Sequence, residues 1–111
     1  DLGVQRVVSA SSNQVYGFFS APPLYAPIDE AHPTRPVNSY ALSKLAGEQA
    51  AESFSRTRGM EILSFRIMGA RVPSELPGDI AQIKSDEGGA TKLLWTRSDA
   101  RDIALACRLA V

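Results

Sequence analysis

The chain is poor in the residues from which covalent and metal-held scaffolds are built. It has one cysteine, Cys107, in 111 residues, which excludes an internal disulfide framework. It has one histidine, His32, which leaves no His/Cys cluster for a metal. No charge of one sign dominates, since 12 Lys plus Arg stand against 12 Asp plus Glu. That balance argues against a nucleic-acid arm, a polybasic membrane patch or an acidic tail. Apolar runs are short, and none approaches the length of a membrane span. No charged-then-apolar leader opens the chain, and a reducing cytoplasm is the expected compartment. What is present is ordinary for a folded protein: 44% apolar residues, in a length that suits one domain. The chain opens at Asp1 and ends at Val111 on an apolar helical pattern; it is expected to be a piece of something longer.

The pattern along the chain reads as strand, loop, helix, strand. Residues 4–9, with Val7 and Val8, form a short β-branched run expected to be a buried strand, entering a small-residue turn at Ala10, Ser11, Ser12 and Asn13. Residues 17–38 carry Pro22, Pro23, Pro27, Pro33 and Pro36, a density that forbids a helix interior or a central strand. Phe18, Phe19, Leu24, Tyr25 and Ile28 would anchor this segment as an ordered loop over a site. Asn38 or Ser39 caps a helix running to about Arg58, with Gly59 as its stop. Leu42, Leu45, Ala46, Gln49, Ala50 and Phe54 fall near the helical period and are expected to form its buried stripe. Residues 61–67 read as a second strand, giving a parallel βαβ unit. Residues 73–89 read mostly as loop, with a helical turn near 80–83, and 92–95 as a short strand. Ser98 caps a last helix with Ile103, Ala104, Cys107 and Leu109 or Ala110 on its apolar side.

So few parallel strands need neighbours, because a parallel sheet is buried on both faces. The fold expected is α/β, the C-terminal portion of a Rossmann-like doubly wound parallel sheet, with 1–111 as a single partial domain.

Two short patterns could carry chemistry. Tyr40 and Lys44 are four apart near a helix start, so their side chains share a face. A tyrosine acting as acid or base must have its pKa lowered from about 10. A lysine ammonium roughly 6 Å away, at an effective dielectric of about 20, supplies on the order of 3 kcal/mol, about two pKa units. The plainer alternative is a buried tyrosine beside a solvated lysine paired to Glu48 one turn on. The second pattern is Ser11-Ser12-Asn13-Gln14-Val15-Tyr16-Gly17 after the first strand. A hydroxyl there lies where open α/β sheets bind ligands, although a serine-rich turn satisfying its own backbone reads the same way.

Taken together, the strand, SSNQVYG, the segment Ile28-Asp29-Glu30-Ala31-His32-Pro33 and Ser39-Tyr40-Ala41-Leu42-Ser43-Lys44 resemble the extended short-chain dehydrogenase/reductase superfamily. Within it they are most similar to the NAD-dependent epimerase/dehydratase family. Residues 62–67 resemble the family's next strand, and 95–104 its later aromatic-to-Asp-Val-Ala segment. The resemblance implies that Ser12 is the catalytic serine and Tyr40 the acid/base. Lys44 then lowers the tyrosine's pKa and holds the cofactor ribose, so that Tyr40 and Lys44 also form the cofactor contact. The cofactor implied is NAD or NADP, and the substrate a nucleotide sugar or related hydroxyl or carbonyl compound. The expected partners are a small molecule and neither nucleic acid nor membrane, with a homodimer left open.

Two departures stand out. Gly69 replaces the family's frequent Asn, which commonly contacts substrate or nicotinamide, and Val72 its Gly. The eight glycines never make G-x-G-x-x-G, so the pyrophosphate cradle is expected upstream of Asp1 and the 111 residues alone are expected to be inactive. Epimerase, dehydratase and dehydrogenase all fit the motifs. The alternatives are a non-catalytic dinucleotide sensor, in which Tyr or Lys would be expected to be lost, and a structural half-domain. His32 and the Asp29-Glu30 pair are read as solvated loop residues, Cys107 as a packed thiol, Asp99 and Asp102 as first-turn acids, and Arg66 as equally suited to an ion pair or to ligand.

Overall fold

The structure is a computed structural model and describes residues 3–18, 20–85 and 97–111. The chain forms two compact units, Asp1–Arg66 with Val111, and Ile67–Ala110.

The first unit is strand, helix, strand. β1 (Arg6–Ser12) and β2 (Glu61–Ile67) are neighbours in a two-stranded sheet, joined through α1 (Ser39–Arg58). The amide of Glu61 donates to the carbonyl of Gln5 at 2.8 Å, and Arg6 pairs with Glu61. Start beside start is the parallel arrangement, which needs a crossover such as α1.

β1 runs three residues beyond the expected Ser9. The hydroxyl of Ser11 donates to Glu48 on α1, so it does not compete for its own backbone and the extended conformation persists. The turn comes at Asn13–Tyr16, a single 3₁₀ turn whose first amides are met by Ser12: its Oγ accepts from the Gln14 amide at 3.2 Å. Gly17 ends it at φ 73°. A Cβ there would lie 2.2 Å from the carbonyl oxygen of Arg35, where the loop returns and the Arg35 amide donates to Val15 at 2.8 Å. Backbone conformation and close approach both demand glycine.

The loop is ordered around a histidine. His32, expected to be solvated, is 3% exposed. Tyr16, Phe18 and Tyr25 surround its ring at centroid distances of 5.4, 5.1 and 4.8 Å. The Leu24 amide donates to Nε2 at 3.1 Å, while Nδ1 lies 3.0 Å from the Pro33 carbonyl, an arrangement that the neutral Nδ1–H tautomer satisfies. Phe18 and Tyr25 therefore anchor the loop as expected. Leu24 and Ile28 are exposed, and Phe19 lies outside the described residues.

The caps of α1 are those the sequence suggests. Asn38 Oδ1 accepts from the Ala41 amide at 2.8 Å, and Gly59 closes the helix at φ 67°. Its inner face is different. The less exposed positions are Ala41, Lys44, Leu45, Glu48, Ala51 and Ser55, while Leu42 and Phe54 of the expected stripe are 58% and 54% exposed. Polar groups on the inner face bond to β1, and those bonds choose the face over apolar content.

In the second unit, β3 (Ala70–Arg71) and β4 (Ser98–Asp99) pair in parallel, Ala70 opposite Ser98 and Arg71 opposite Asp99. A 3₁₀ turn at Pro73–Glu75 leads into α2 (Leu76–Ser85), where loop with one helical turn was expected. Pro77 is the second residue of α2, a position whose amide has no intrahelical partner, so it does not break the helix. Asp79 on α2 accepts from Nε of both Arg71 and Arg97 at 3.0 Å. α3 (Ala100–Ala110) is capped by Asp99, not Ser98: its Oδ1 accepts from the Arg101 amide at 2.8 Å. Ile103, Cys107 and Ala110 lie on the less exposed side of α3; Ala104 and Leu109 are exposed. The expected strand at 92–95 falls outside the described residues. Among the described residues no helix is long and apolar enough to cross a membrane. Nor do they contain a group of three His, Cys, Asp or Glu able to hold a metal.

Candidate active site

The cap on Asn38 starts α1 at Ser39 and so places Tyr40 and Lys44 on its first two turns. Lys44 Nζ donates to the carbonyl of Ala10 in β1 at 2.8 Å and stands 5.6 Å from the Tyr40 ring centroid. Asn38 Nδ2 reaches Gln14 Oε1 at 3.4 Å, tying the helix start to the turn after Ser12. The strand that ends in Ser12 and the helix that carries Tyr40 and Lys44 are thus joined on both sides of the serine. Ser12 is buried, and its oxygen accepts from Gln14, which leaves the hydroxyl proton to donate elsewhere. Tyr40 is 49% exposed, so the buried tyrosine of the plainer reading is not found.

Lys44 is not paired to Glu48 either. Glu48 accepts from Ser11 Oγ at 2.5 Å and from Arg66 on β2, Nε to Oε1 at 3.0 Å and Nη2 to Oε2 at 2.8 Å. Burial pushes the Glu48 carboxyl up, but the hydrogen bonds from Arg66 and Ser11 outweigh it and hold the pKa below the usual carboxylate value. The same carboxylate pushes the Arg66 guanidinium up, against the opposing effect of burial. Arg66 Nη1 also donates to the Tyr16 hydroxyl at 2.8 Å, and that hydroxyl donates to the Asp29 carbonyl at 3.2 Å. Removing either partner of this partly buried ion pair would leave the other charge without its counter-ion. Arg66 was open between ion pair and ligand in the sequence; here it is an ion pair. Glu48 carries no local signal for this role, its partner lying on another element.

The donors suit part of a dinucleotide. An ammonium has three N–H groups, of which Ala10 takes one at Lys44, and the half-exposed Tyr40 phenol adds another polar group. These match the hydroxyls of a ribose. A pyrophosphate is less well served. At the N-terminus of α1 the Asn38 side chain takes the Ala41 amide, and at that of α3 the Asp99 carboxylate takes the Arg101 amide, so in each an acceptor of the chain itself already stands where an anion would bind.

The fold is that of the short-chain dehydrogenases/reductases. A superfamily member from Agrobacterium tumefaciens, solved with bound NAD, superposes with a TM-score of 0.75 over 98% of this chain and 44% of its own, at 24% identity. Within that class, the chain belongs to the NAD dependent epimerase/dehydratase family, whose sequence profile matches residues 1–105. It is 43% identical over 65 residues to a uronate dehydrogenase of Pseudomonas syringae pv. tomato, covering 59% of this chain and 22% of that one. It is 39% identical over 64 residues to a putative UDP-glucose 4-epimerase of Methanocaldococcus jannaschii, covering 57% of this chain and 20% of that one. The matched stretches thus span about a fifth of the length of these curated relatives.

Proposed function

We propose that this chain carries the catalytic centre of a nicotinamide-dependent dehydrogenase or epimerase that acts on a hydroxyl of a sugar acid or nucleotide sugar. The observation behind this reading is Lys44, bonded to Ala10 of β1 and standing 5.6 Å from the Tyr40 ring. Tyr40 is the acid/base, Ser12 the hydrogen-bond partner of the reacting oxygen, and Lys44 the group that holds ribose and supports Tyr40. Tyr40 and Lys44 make up the cofactor contact, and the 111 residues form part of one domain.

When bound, NAD or NADP supplies the hydride acceptor. Tyr40 Oη takes the proton of the substrate hydroxyl as the carbinol becomes a carbonyl, and returns it in the reverse direction. Ser12 donates its remaining proton to the same oxygen and fixes its place. Lys44, held by Ala10, keeps its ammonium 5.6 Å from the Tyr40 ring, where it orients the phenol. Two relatives are uronate dehydrogenases, at 43% and 40% identity, which favours net oxidation of a uronate. An epimerase would follow the same first step and return the hydride to the opposite face.

The test is a chimera in which residues 1–66 replace their counterpart in the Pseudomonas syringae uronate dehydrogenase. Uronate-dependent NADH formation, with UDP-glucose and its 4-epimer assayed alongside, is expected to persist. It should fall by about two to four orders of magnitude in Tyr40→Phe. Full turnover in that variant would reject the acid/base role.

A further inference from the structure

Building on the reading of Ser12, Tyr40 and Lys44 above, we infer that Ser11 and Glu48 are positioning residues, whose hydrogen bond sets where Tyr40 and Lys44 stand against Ser12. Lys44 grips the backbone of β1 at Ala10, and Glu48, one turn further along the same face of α1, grips the side chain of the next residue, Ser11. A single contact would leave the helix free to pivot about it. Two contacts about 6 Å apart along the helix, matched to adjacent strand residues about 3.3 Å apart, fix both its slide and its tilt.

Glu48 is itself held. Arg66 takes both of its carboxylate oxygens from β2, so the plane of the acid is set. Arg66 is held in turn by the Tyr16 hydroxyl at 2.8 Å, and its guanidinium carbon stands 4.8 Å from the Tyr16 ring centroid. Tyr16 belongs to the turn that Ser12 caps. The contacts therefore leave the chain one residue before Ser12, pass through Glu48 and Arg66, and return just after it. All members are buried or partly so, and no side-chain polar atom among those described as buried is left unpartnered. Such closed polar networks hold one arrangement, because any other strands a buried group.

The experiment follows the ring signals of the three tyrosines by ¹³C NMR of this chain, with Tyr40 assigned by its loss in Tyr40→Phe. Ser11→Ala removes one hydroxyl. Glu48→Asp keeps the charge opposite Arg66 but shortens the reach to Ser11, and serves if Ser11→Ala does not fold. In each the Tyr40 signal is expected to move, and in Ser11→Thr, which restores the hydroxyl, to return. Glu52→Gln, on the same helix but paired among the described residues to exposed Arg56, should leave it in place. A Tyr40 signal unmoved in folded Ser11→Ala or Glu48→Asp, or moved as far by Glu52→Gln, overturns the proposal. In the chimera, Ser11→Ala should lower kcat on the order of ten- to a hundredfold with little change in KM. A chimera without uronate or nucleotide-sugar turnover counts against the proposed function, while the NMR comparison still decides the positioning role.

Discussion

The ammonium of Lys44 donates to the backbone carbonyl of Ala10 at 2.8 Å. A side chain assigned to a cofactor is thus also a strut between helix and strand. Lys44→Ala in the chimera should raise the KM for NAD and lower kcat together, because ribose contact, charge and strut go at once. Steady-state kinetics at varied NAD checks this; a change confined to kcat would remove the ribose contact from its role.

Gly17→Ala should be among the most damaging small substitutions in the chain. The added Cβ meets a backbone oxygen at 2.2 Å in a residue at φ 73°, so neither a rotamer change nor a flexible neighbour relieves it. A loss of at least about 2 kcal/mol is expected, lowering Tm by on the order of 10 °C for a domain of this size. Thermal and urea unfolding measure it, with Gly47→Ala, which meets nothing within 4 Å, as the comparison.

Acid should loosen the chain through Glu48 and Asp99. Glu48 is held below its usual value of 4.5 by Arg66 and Ser11 against the effect of burial. A depressed folded-state pKa stabilises fully above the unfolded value and is lost as pH falls through the folded one. Stability should therefore begin to fall below about pH 4.5 and continue down to the lower Glu48 value. Asp99, lowered from 3.8 to about 2 by the side chain and then the amide of Arg101, loses its contribution between those values. Urea midpoints should fall less steeply with pH below about 4.5 in Glu48→Gln than in the unsubstituted chain.

The 111 residues alone should bind NAD and NADP poorly. Dinucleotide affinity in this fold draws on open amides at a Gly-rich helix start, and the 111 residues contain no G-x-G-x-x-G. Calorimetry on the chain tests this, and micromolar binding would show that the pyrophosphate is gripped by residues other than those considered.

What the sequence made legible was local chemistry. Asn38 and Gly59 bound α1 because a capping amide and a left-handed glycine act on their own neighbours. The inner face of α1 was hidden for the opposite reason. Apolar periodicity favours Leu42 and Phe54, but Lys44 and Glu48 turn inward because their partners, Ala10 and Ser11, wait on β1. His32 looked solvated between charged and proline neighbours, since the rings that enclose it begin with Tyr16, far back in the chain. α2 was masked by Pro77 and Gly78, poor helix formers that the first turn tolerates. The candidate triad rested on motif, and its assignment now depends on the variants above.

Val15, Gly17 and Arg35 make a closed neck at the base of the proline-rich loop. Much of what lies beyond that neck can lengthen, shorten or change sequence while Ser12 and Asn38, on its near side, keep their separation. His32 with its rings, and the Asp29 carbonyl that accepts from Tyr16, must be carried along. Length and sequence in the rest of the loop are thereby uncoupled from the spacing between the strand end at Ser12 and the helix start at Asn38.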